Sequence, residues 1–560
     1  MRPRALRIAV VIASAFVTLL SVARLGAVVL AFQTGADPAD AFHEVPAVPP
    51  GYGASMRWLD DAPGIRPAPA PSTRSVLQTE YSRAWSLLNA SSTGARVENL
   101  QDILAGSALL RARATFGAQR SPLPQVDLAH VLQLRDLSAD GALAVLRDRA
   151  TVARQLTDGT VVESQERYTV LLALQDGAWQ IRNMRRETAR NTLLPEFDEA
   201  PPSRLELGGA TLRGVNYMPR GGEWGTMWMN LKPAQIARDL QLARRMGFSS
   251  IRVFVPYDPK LAKEDWIELR KSVTRFLRVT DRANMDVLLT LFDTWTDHRL
   301  EQWPTSDRYL RAMVRVARDH PSLLGYDLKN EADLDIHPPL GARGTYAWIT
   351  HNANVVRRMD RTAPITVGWS SAQAAVDAAQ LPLSFVTFHD YLPETNRSAR
   401  FDAVVRAAHG RRVLLTEFGS TSYRGIRHPG VSEPEQARRI ASTIADANRA
   451  GLDGTMVWTL FDPLTPPPGV RRPWNAARQT HYGVLRADGS AKPSAAVAAG
   501  QRTPLSGGGL SLPIFWISWS CLGLGGLLVS ARARVIMRRR ARARRHAAAA
   551  RPRPEPPPGA

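Results

Sequence analysis

Two carboxylates in this 560-residue chain stand where a carboxylate is out of place. In GYDLKNEADLD, residues 325 to 335, an apolar run that reads as a buried strand ends abruptly in Lys329, Asn330 and Glu331. In RRVLLTEF, residues 411 to 418, a second apolar run carries Glu417 near its end. A buried strand has no use for an acid at its tip unless the tip opens onto something polar. Two carboxylates sharing one cleft are the minimum equipment for cleaving an acetal. A protonated one gives its proton to the leaving oxygen, and an ionised one attacks or stabilises the sugar cation. Such a pair works near neutral pH when unequal surroundings push the two pKa values apart. The bland alternative, for either acid alone, is an ion pair with an arginine at a strand end.

The elements that would bring these acids together lie between residues 204 and 500. Short apolar runs alternate there with amphipathic stretches: 210–217, 249–255, 286–292, 323–330, 364–369, 384–390, 411–418 and 454–461 read as eight strands. Helical runs fall between them, such as PAQIARDLQLARRMG, with Pro near its start and Gly at its end, and DRYLRAMVRVARDHP. Eight strand–helix repeats over about 300 residues predict an α/β fold, a (β/α)8 TIM barrel whose strands carry polar residues to their C-terminal ends. Strands four and seven lie across such a barrel from each other, so Glu331 and Glu417 are expected over one mouth.

With that placement, LKNEAD and LLTEFG resemble the acid/base and nucleophile motifs of glycoside hydrolase clan A, the retaining barrel enzymes, most closely the cellulase-like family five. The resemblance covers most of residues 210 to 465. It implies Glu331 as general acid/base and Glu417 as nucleophile through a covalent glycosyl-enzyme, with carboxyl groups about 5 to 5.5 Å apart. Matched position by position, Arg252 in SIRVFV corresponds to the arginine that keeps the nucleophile ionised. Asn330 corresponds to the residue that binds the sugar 2-hydroxyl. His389 and Tyr391 in FHDYLP match the clan's His-x-Tyr, with Tyr391 on the nucleophile, and Trp458 in GTMVWTLF fits the stacking platform beneath the sugar. After strand three the chain reads FDTWTDH, where family five often places a histidine. Here Asp293, Trp295 and the more distant His298 stand instead. The first loop, NYMPRGGEWGTMW, offers Tyr217, Glu223, Trp224 and Trp228 as subsite walls or as a cap on the barrel.

Residues 74 to 192 read as a smaller α+β unit, helical first and then alternating strands, closing on DGAWQIRNMR. That order resembles the cone-shaped nuclear-transport-factor-like superfamily, and no acid–base pair stands out in the unit's sequence, so a binding or positioning role is expected of it. Residues 35–73 are Pro/Ala-rich and read as a linker. Residues 1–34 contain the apolar run IAVVIASAFVTLLSVA, either a cleaved signal peptide or, in the reading taken here, an anchor helix continuing to Phe32. Residues 511–531 hold a second apolar run with Trp516 and Trp519, predicted to cross the membrane, and 532–560 form an Arg-rich tail.

The net charge of +21 suggests nucleic acid until its location is read. Ten arginines from Arg532 to Arg553, opposed only by Glu555, together with Arg2, Arg4, Arg7 and Arg24, account for 13 of those charges. The middle lacks aromatic–basic alternation, which excludes nucleic-acid binding as a working hypothesis. By the positive-inside rule both basic ends face the cytoplasm, and the barrel is expected outside the cytoplasmic membrane. Cys521 is the only cysteine, so no intramolecular disulfide forms. No paired-His motif or cysteine cluster points to a metal, and no cofactor is expected. Together these readings predict a membrane-tethered retaining glycosidase or transglycosidase acting on an extracytoplasmic β-linked polysaccharide, beside a polysaccharide synthesis or export machinery. The alternative is a catalytically silent glycan-binding or scaffold protein of such a system.

Overall fold

The eight apolar runs between residues 210 and 461 all become strands of one closed parallel barrel, in the order β10-β11-β12-β13-β6-β7-β8-β9. The strands are β6 (Leu212–Asn216), β7 (Ser250–Phe254), β8 (Asp286–Thr290), β9 (Leu323–Asn330), β10 (Ile365–Trp369), β11 (Val386–Asp390), β12 (Val413–Phe418) and β13 (Gly454–Val457). The computed structural model describes residues 52–65, 69–92, 100–116, 124–157, 160–175, 177–187, 205–207, 211–337, 341–424, 431–468, 470 and 472–501. All of them belong to the first of two units into which the chain divides, Met1–Thr503 and Pro504–Ala560. The apolar runs of residues 8–32 and 512–530, and the Arg-rich tail, lie outside the described residues. Among the described residues no helix is long and apolar enough to cross a membrane.

Helices alternate with the strands as the 3.6-residue spacing of apolar positions requires. The helix α3 (Pro233–Met246) begins with Pro at its first turn and ends at Gly247, whose φ of 107° only glycine adopts without strain. It buries Ile236, Leu240 and Ala243. The helices α4 (Ile267–Ala283), α5 (Trp303–Ala317) and α6 (Gly341–Met359) follow β7, β8 and β9.

Irregularities in strand register aim the functional side chains. Between β9 and β10 the pairs step from Thr366 with Asp327 to Gly368 with Asn330, so β9 carries one extra residue. This bulge breaks the two-residue alternation and lets Asp327 and Asn330, three apart, face the same side. A similar step in β12 takes the pairing from Leu415 with Phe388 to Glu417 with His389.

Before the barrel, a five-stranded sheet in the order β1-β2-β3-β4-β5 packs against two helices. Its long strands are β2 (Gln125–Leu137), β3 (Leu143–Gln155), β4 (Val161–Gln175) and β5 (Ala178–Arg186), and the helices are α1 (Pro71–Ser92) and α2 (Gly106–Phe116). The helix α1 turns Leu77, Tyr81, Ala84, Trp85 and Leu88 onto the sheet, the i, i+4, i+7 spacing of an amphipathic helix. Two corrections to the sequence reading arise here. The stretch read as a linker contains a strand, β1 (Ser55–Trp58), parallel to β2, because Met56 and Trp58 pack on the unit's core. The interior also holds a charged cluster where no acid–base pair was expected: the Tyr81 hydroxyl donates to Asp148 at 2.7 Å, and His130 Nδ1 lies 2.8 Å from the same carboxylate oxygen. The helical spacing of Tyr81 and the strand alternation of His130 and Asp148 turn all three inward, but which of them meet depends on strand pairing, which the sequence does not display.

The sheet unit docks on the barrel. Val126, Leu128 and Ala153 share an apolar cluster with barrel residues, and Glu163 Oε1 of β4 lies 2.7 Å from His351 Nδ1 of α6.

Candidate active site

The buried Arg252 of β7 organises the mouth of the barrel. It donates from Nε and Nη2 to Asp327 Oδ2 at 2.9 and 2.7 Å, and from Nη2 to Asn330 Oδ1 at 2.8 Å. From Nη1 it reaches Glu417 Oε2 at 3.0 Å and Asn216 Oδ1 at 3.3 Å. Burial works against its charge, yet Asp327 and Glu417 more than offset this and raise its pKa. Asp327 is fixed in turn by Thr290 Oγ1 at 3.0 Å and by the Gly368 N–H at 2.9 Å.

Glu417 is held on both oxygens, since the Tyr391 hydroxyl donates to Oε1 at 2.9 Å. The Tyr391 ring is 43% exposed, but its hydroxyl end is enclosed between Glu417 and Tyr482, whose ring centroid is 6.1 Å away. That burial, with the Glu417 charge, raises the phenol well above its ordinary value, so it stays a donor.

Glu331 stands at the tip of β9 with φ of 52°, its N–H bonded to the Gly368 carbonyl at 2.6 Å. His389 Nδ1 lies 3.0 Å from Glu331 Oε1 and 3.9 Å from Glu417 Oε2. One carboxylate oxygen from each of Glu331 and Glu417 and a His389 ring nitrogen all lie within 4.8 Å of one another. Burial pushes the Glu331 carboxyl up, but the His389 hydrogen bond and the charges of His389, Arg252 and Lys329 outweigh it and hold the group below its ordinary value. The two side chains are unequally open, 27% for Glu331 and 12% for Glu417.

Two carboxylates and an imidazole at this spacing are also a donor set a divalent cation can use. Here the Arg252 guanidinium already occupies Glu417, and a second positive charge beside it is disfavoured by simple repulsion. The arrangement suits proton transfer and nucleophilic attack better than metal binding.

Arg252, Asn330, Glu331, His389, Tyr391 and Glu417 therefore come together. Trp458 follows β13 half-buried, its ring centroid 5.8 Å from Phe254 and 6.1 Å from Trp224, and the Arg252 guanidinium lies 4.6 Å over Phe254. Trp295 is half-buried in the loop after β8, with its indole N–H committed to the Asp297 carbonyl at 2.6 Å and its ring 4.8 Å from Tyr257. Tyr217 requires a correction. Its buried hydroxyl donates to Asp239 of α3 at 3.0 Å, so it points away from the mouth and serves packing.

Alternation explains the Tyr217 error: the neighbouring Asn216 is the inward residue, and its side chain reaches Arg252. Trp228 is likewise core, and Glu223 fastens the first loop to the last by accepting from the Gly221 and Leu464 N–H groups at 3.1 and 3.0 Å. Asp293 lies among the site charges, pushed up to about 6 by burial against the pull of Lys329 and Arg252. Asp327 and Gly368 were missed altogether. A Cβ at Gly368 would fall 2.8 Å from Arg252 Nη2 and 3.0 Å from His389 Nε2, so only glycine fits.

No protein-family profile matches the chain. No curated protein matches it either. Solved structures similar to it include GH5_18 from Streptomyces cattleya in complex with GlcNAc, at 18% identity over 52% of this chain and 79% of that one, with a TM-score of 0.43. An exo-beta-1,4-mannosidase from Opitutaceae bacterium strain TAV5 is similar at 20% identity over 54% of this chain and 61% of that one, TM-score 0.42. A glycoside hydrolase family 17 beta-1,3-glucanosyltransferase from Rhizomucor miehei is similar at 16% identity over 51% of this chain and 96% of that one, TM-score 0.38. At these scores the likeness carries no argument, and the barrel rests on the strand order of this chain itself.

Proposed function

We propose that this chain is a retaining glycosidase or transglycosidase, with Glu417 as nucleophile and Glu331 as general acid/base, acting on a β-linked polysaccharide. The observation that carries the reading is the 4.8 Å limit on the spacing of Glu331, Glu417 and His389 atoms. A separation of nearest oxygens within 4.8 Å favours the about 5 to 5.5 Å between carboxyl groups of retaining enzymes over the about 6.5 to 9.5 Å that inverting enzymes need to admit water.

The roles follow from the unequal surroundings. Glu417, fixed by Arg252 and Tyr391, is the group presented as an anion toward an anomeric carbon. Among the described residues no arginine hydrogen-bonds to Glu331, which meets His389 through one oxygen. A sugar entering the gap strips water from Glu331 and competes with His389 for it, and both effects favour the protonated form the acid role needs. In the first step Glu417 bonds to the anomeric carbon while the glycosidic bond breaks and its oxygen takes the Glu331 proton. In the second, Glu331 removes a proton from water or a sugar hydroxyl, whose oxygen displaces Glu417. In this reading Asn330 binds the sugar 2-hydroxyl and Trp458 covers the ring face.

The basic termini and apolar runs support tethering at the cytoplasmic membrane with the barrel outside, in reach of a glycan leaving the cell. The test is a panel of β-glucans, mannans and xylans offered to the full chain, with NMR of the first-formed anomer. Retention supports the reading, and inversion removes the mechanism. No turnover that Glu331→Gln or Glu417→Gln abolishes, with glycan binding intact, points to a silent binder.

A further inference from the structure

Behind the acid-bearing tip of β9 runs an unbroken line of contacts that ends in the N-terminal sheet unit. Lys329, buried beside Asn330, donates from Nζ to the Asn330 carbonyl at 2.6 Å and to the Asp293 carbonyl at 3.2 Å. It also lies 3.2 Å from Asp335 Oδ2. His298 Nε2 lies 3.6 Å from the same oxygen. The His298 ring stacks on Trp348 of α6 at 4.3 Å and 11°, and its carbonyl accepts from Trp303 Nε1 at 3.0 Å. Trp303 stacks in turn on His351 at 4.7 Å and 19°, and His351 meets Glu163 of the sheet unit. Lys329, His298, Trp303, Trp348 and His351 are each 3% exposed or less, while the links at Asp335 and Glu163 are half-buried.

We propose that the sheet unit positions the tip of β9: Glu163, through His351, Trp303, His298 and Asp335, sets Lys329 and with it the backbone on which Glu331 stands. This rests on the glycosidase reading only for its consequence in turnover. A close-packed interior transmits displacement because side chains have no free volume to absorb it. The His298 ring is held by its stack on Trp348, by the contact with Asp335 and by the neighbouring Trp295 backbone, and the first two are links of the line. Burial and the Lys329 charge push His298 down to about 3, so the ring stays neutral and the stack does not titrate in the working range. Glu163, His351, His298, Asp335 and Lys329 are positioning residues here, since none touches the reacting atoms.

A double-mutant cycle on the full chain tests this. Glu163→Gln and Lys329→Met are each expected to lower kcat more than they change KM, by about twofold to thirtyfold. The double variant is expected to be no slower than Lys329→Met, because both act through one group. Losses that multiply overturn the proposal. Should Lys329→Met fail to fold, Asp335→Asn replaces it in the cycle. A second readout needs no turnover: the His298 ring signal in a proton–carbon NMR spectrum, identified by its loss in His298→Phe, is expected to move in Glu163→Gln. A signal that stays in place overturns the coupling whether or not any glycan is cleaved. A signal that moves in a chain that cleaves no glycan keeps the coupling and removes the glycosidase reading.

Discussion

Asp327→Asn is the perturbation that probes the site most revealingly, because it removes a charge and no atom of bulk. Asp327 Oδ2 accepts three hydrogen bonds, two from Arg252 and one from Thr290, while Oδ1 accepts one from the Gly368 N–H. An asparagine keeps its oxygen where the three donors converge, which turns its amide nitrogen onto the Gly368 N–H, donor against donor. One backbone bond is lost with both groups buried, about 1–3 kcal/mol. The ion pair with Arg252 becomes a neutral contact as well. Breaking a buried pair costs about 3–5 kcal/mol, and that range bounds the total. Among the described residues Arg252 is then left with Glu417 as its one carboxylate in hydrogen-bond contact, and it shifts toward that group at the expense of Asn330 and the attack geometry. If about 3–4 kcal/mol of this appears in the transition state, kcat/KM falls roughly 100- to 1000-fold, at about 1.4 kcal/mol per tenfold. Thr290→Val removes one neutral bond on the same oxygen and is expected to cost about 1 kcal/mol, less than a tenfold loss. The assay is kcat/KM on the polymer found by the panel, beside the thermal unfolding midpoint of each variant. Asp327→Asn within threefold of the unaltered chain, with an unchanged midpoint, would refute the idea that Asp327 sets Arg252.

Three further outcomes are expected. Removing the imidazole in His389→Ala takes away the largest influence that holds Glu331 down, leaving burial opposed only by the charges of Arg252 and Lys329, so its pKa rises. Because the acid must be protonated, activity falls as pH rises through its pKa, so the basic limb of the kcat/KM profile moves to higher pH; a limb that moves lower or stays put contradicts this. Gly368→Ala forces a methyl to 2.8 Å from Arg252 Nη2, an overpacking cost of about 1–3 kcal/mol, and is expected to lower kcat by tenfold or more at near-normal secondary structure by circular dichroism. Glu223→Ala frees the two N–H groups that join the first and last loops, so KM rises while kcat on short substrates holds; the reverse split would place Glu223 in the chemistry.

Much of the barrel is legible because each buried parallel strand is a short apolar run bounded by polar helix starts, and all eight such runs became strands. Glu331 and Glu417 stood out because an acid at the end of such a run has no bland environment. Asp327 sits in the same run and was passed over, since strict alternation puts it out of phase with Asn330, and only the bulge in β9 brings them together. Tyr217 reads as a subsite wall because it is an aromatic in the first loop, yet facing depends on phase, and the phase turns the neighbouring Asn216 inward. The strand β1 was hidden by proline-rich neighbours, because an edge strand of four residues leaves little alternation to detect. The line from Glu163 to Lys329 joins residues 166 positions apart, and no local pattern announces it.

The central claim is that Glu417 bonds to the sugar while Glu331 moves the proton. The most direct measurement incubates the full chain with the 2-deoxy-2-fluoro form of a β-glycoside it cleaves, which slows both steps by disfavouring the sugar cation, and maps the labelled peptide by mass spectrometry. A glycosyl adduct on Glu417 that accumulates faster than it is released is the result expected. An adduct on another residue, or steady turnover with inverted product and no adduct, would contradict the account.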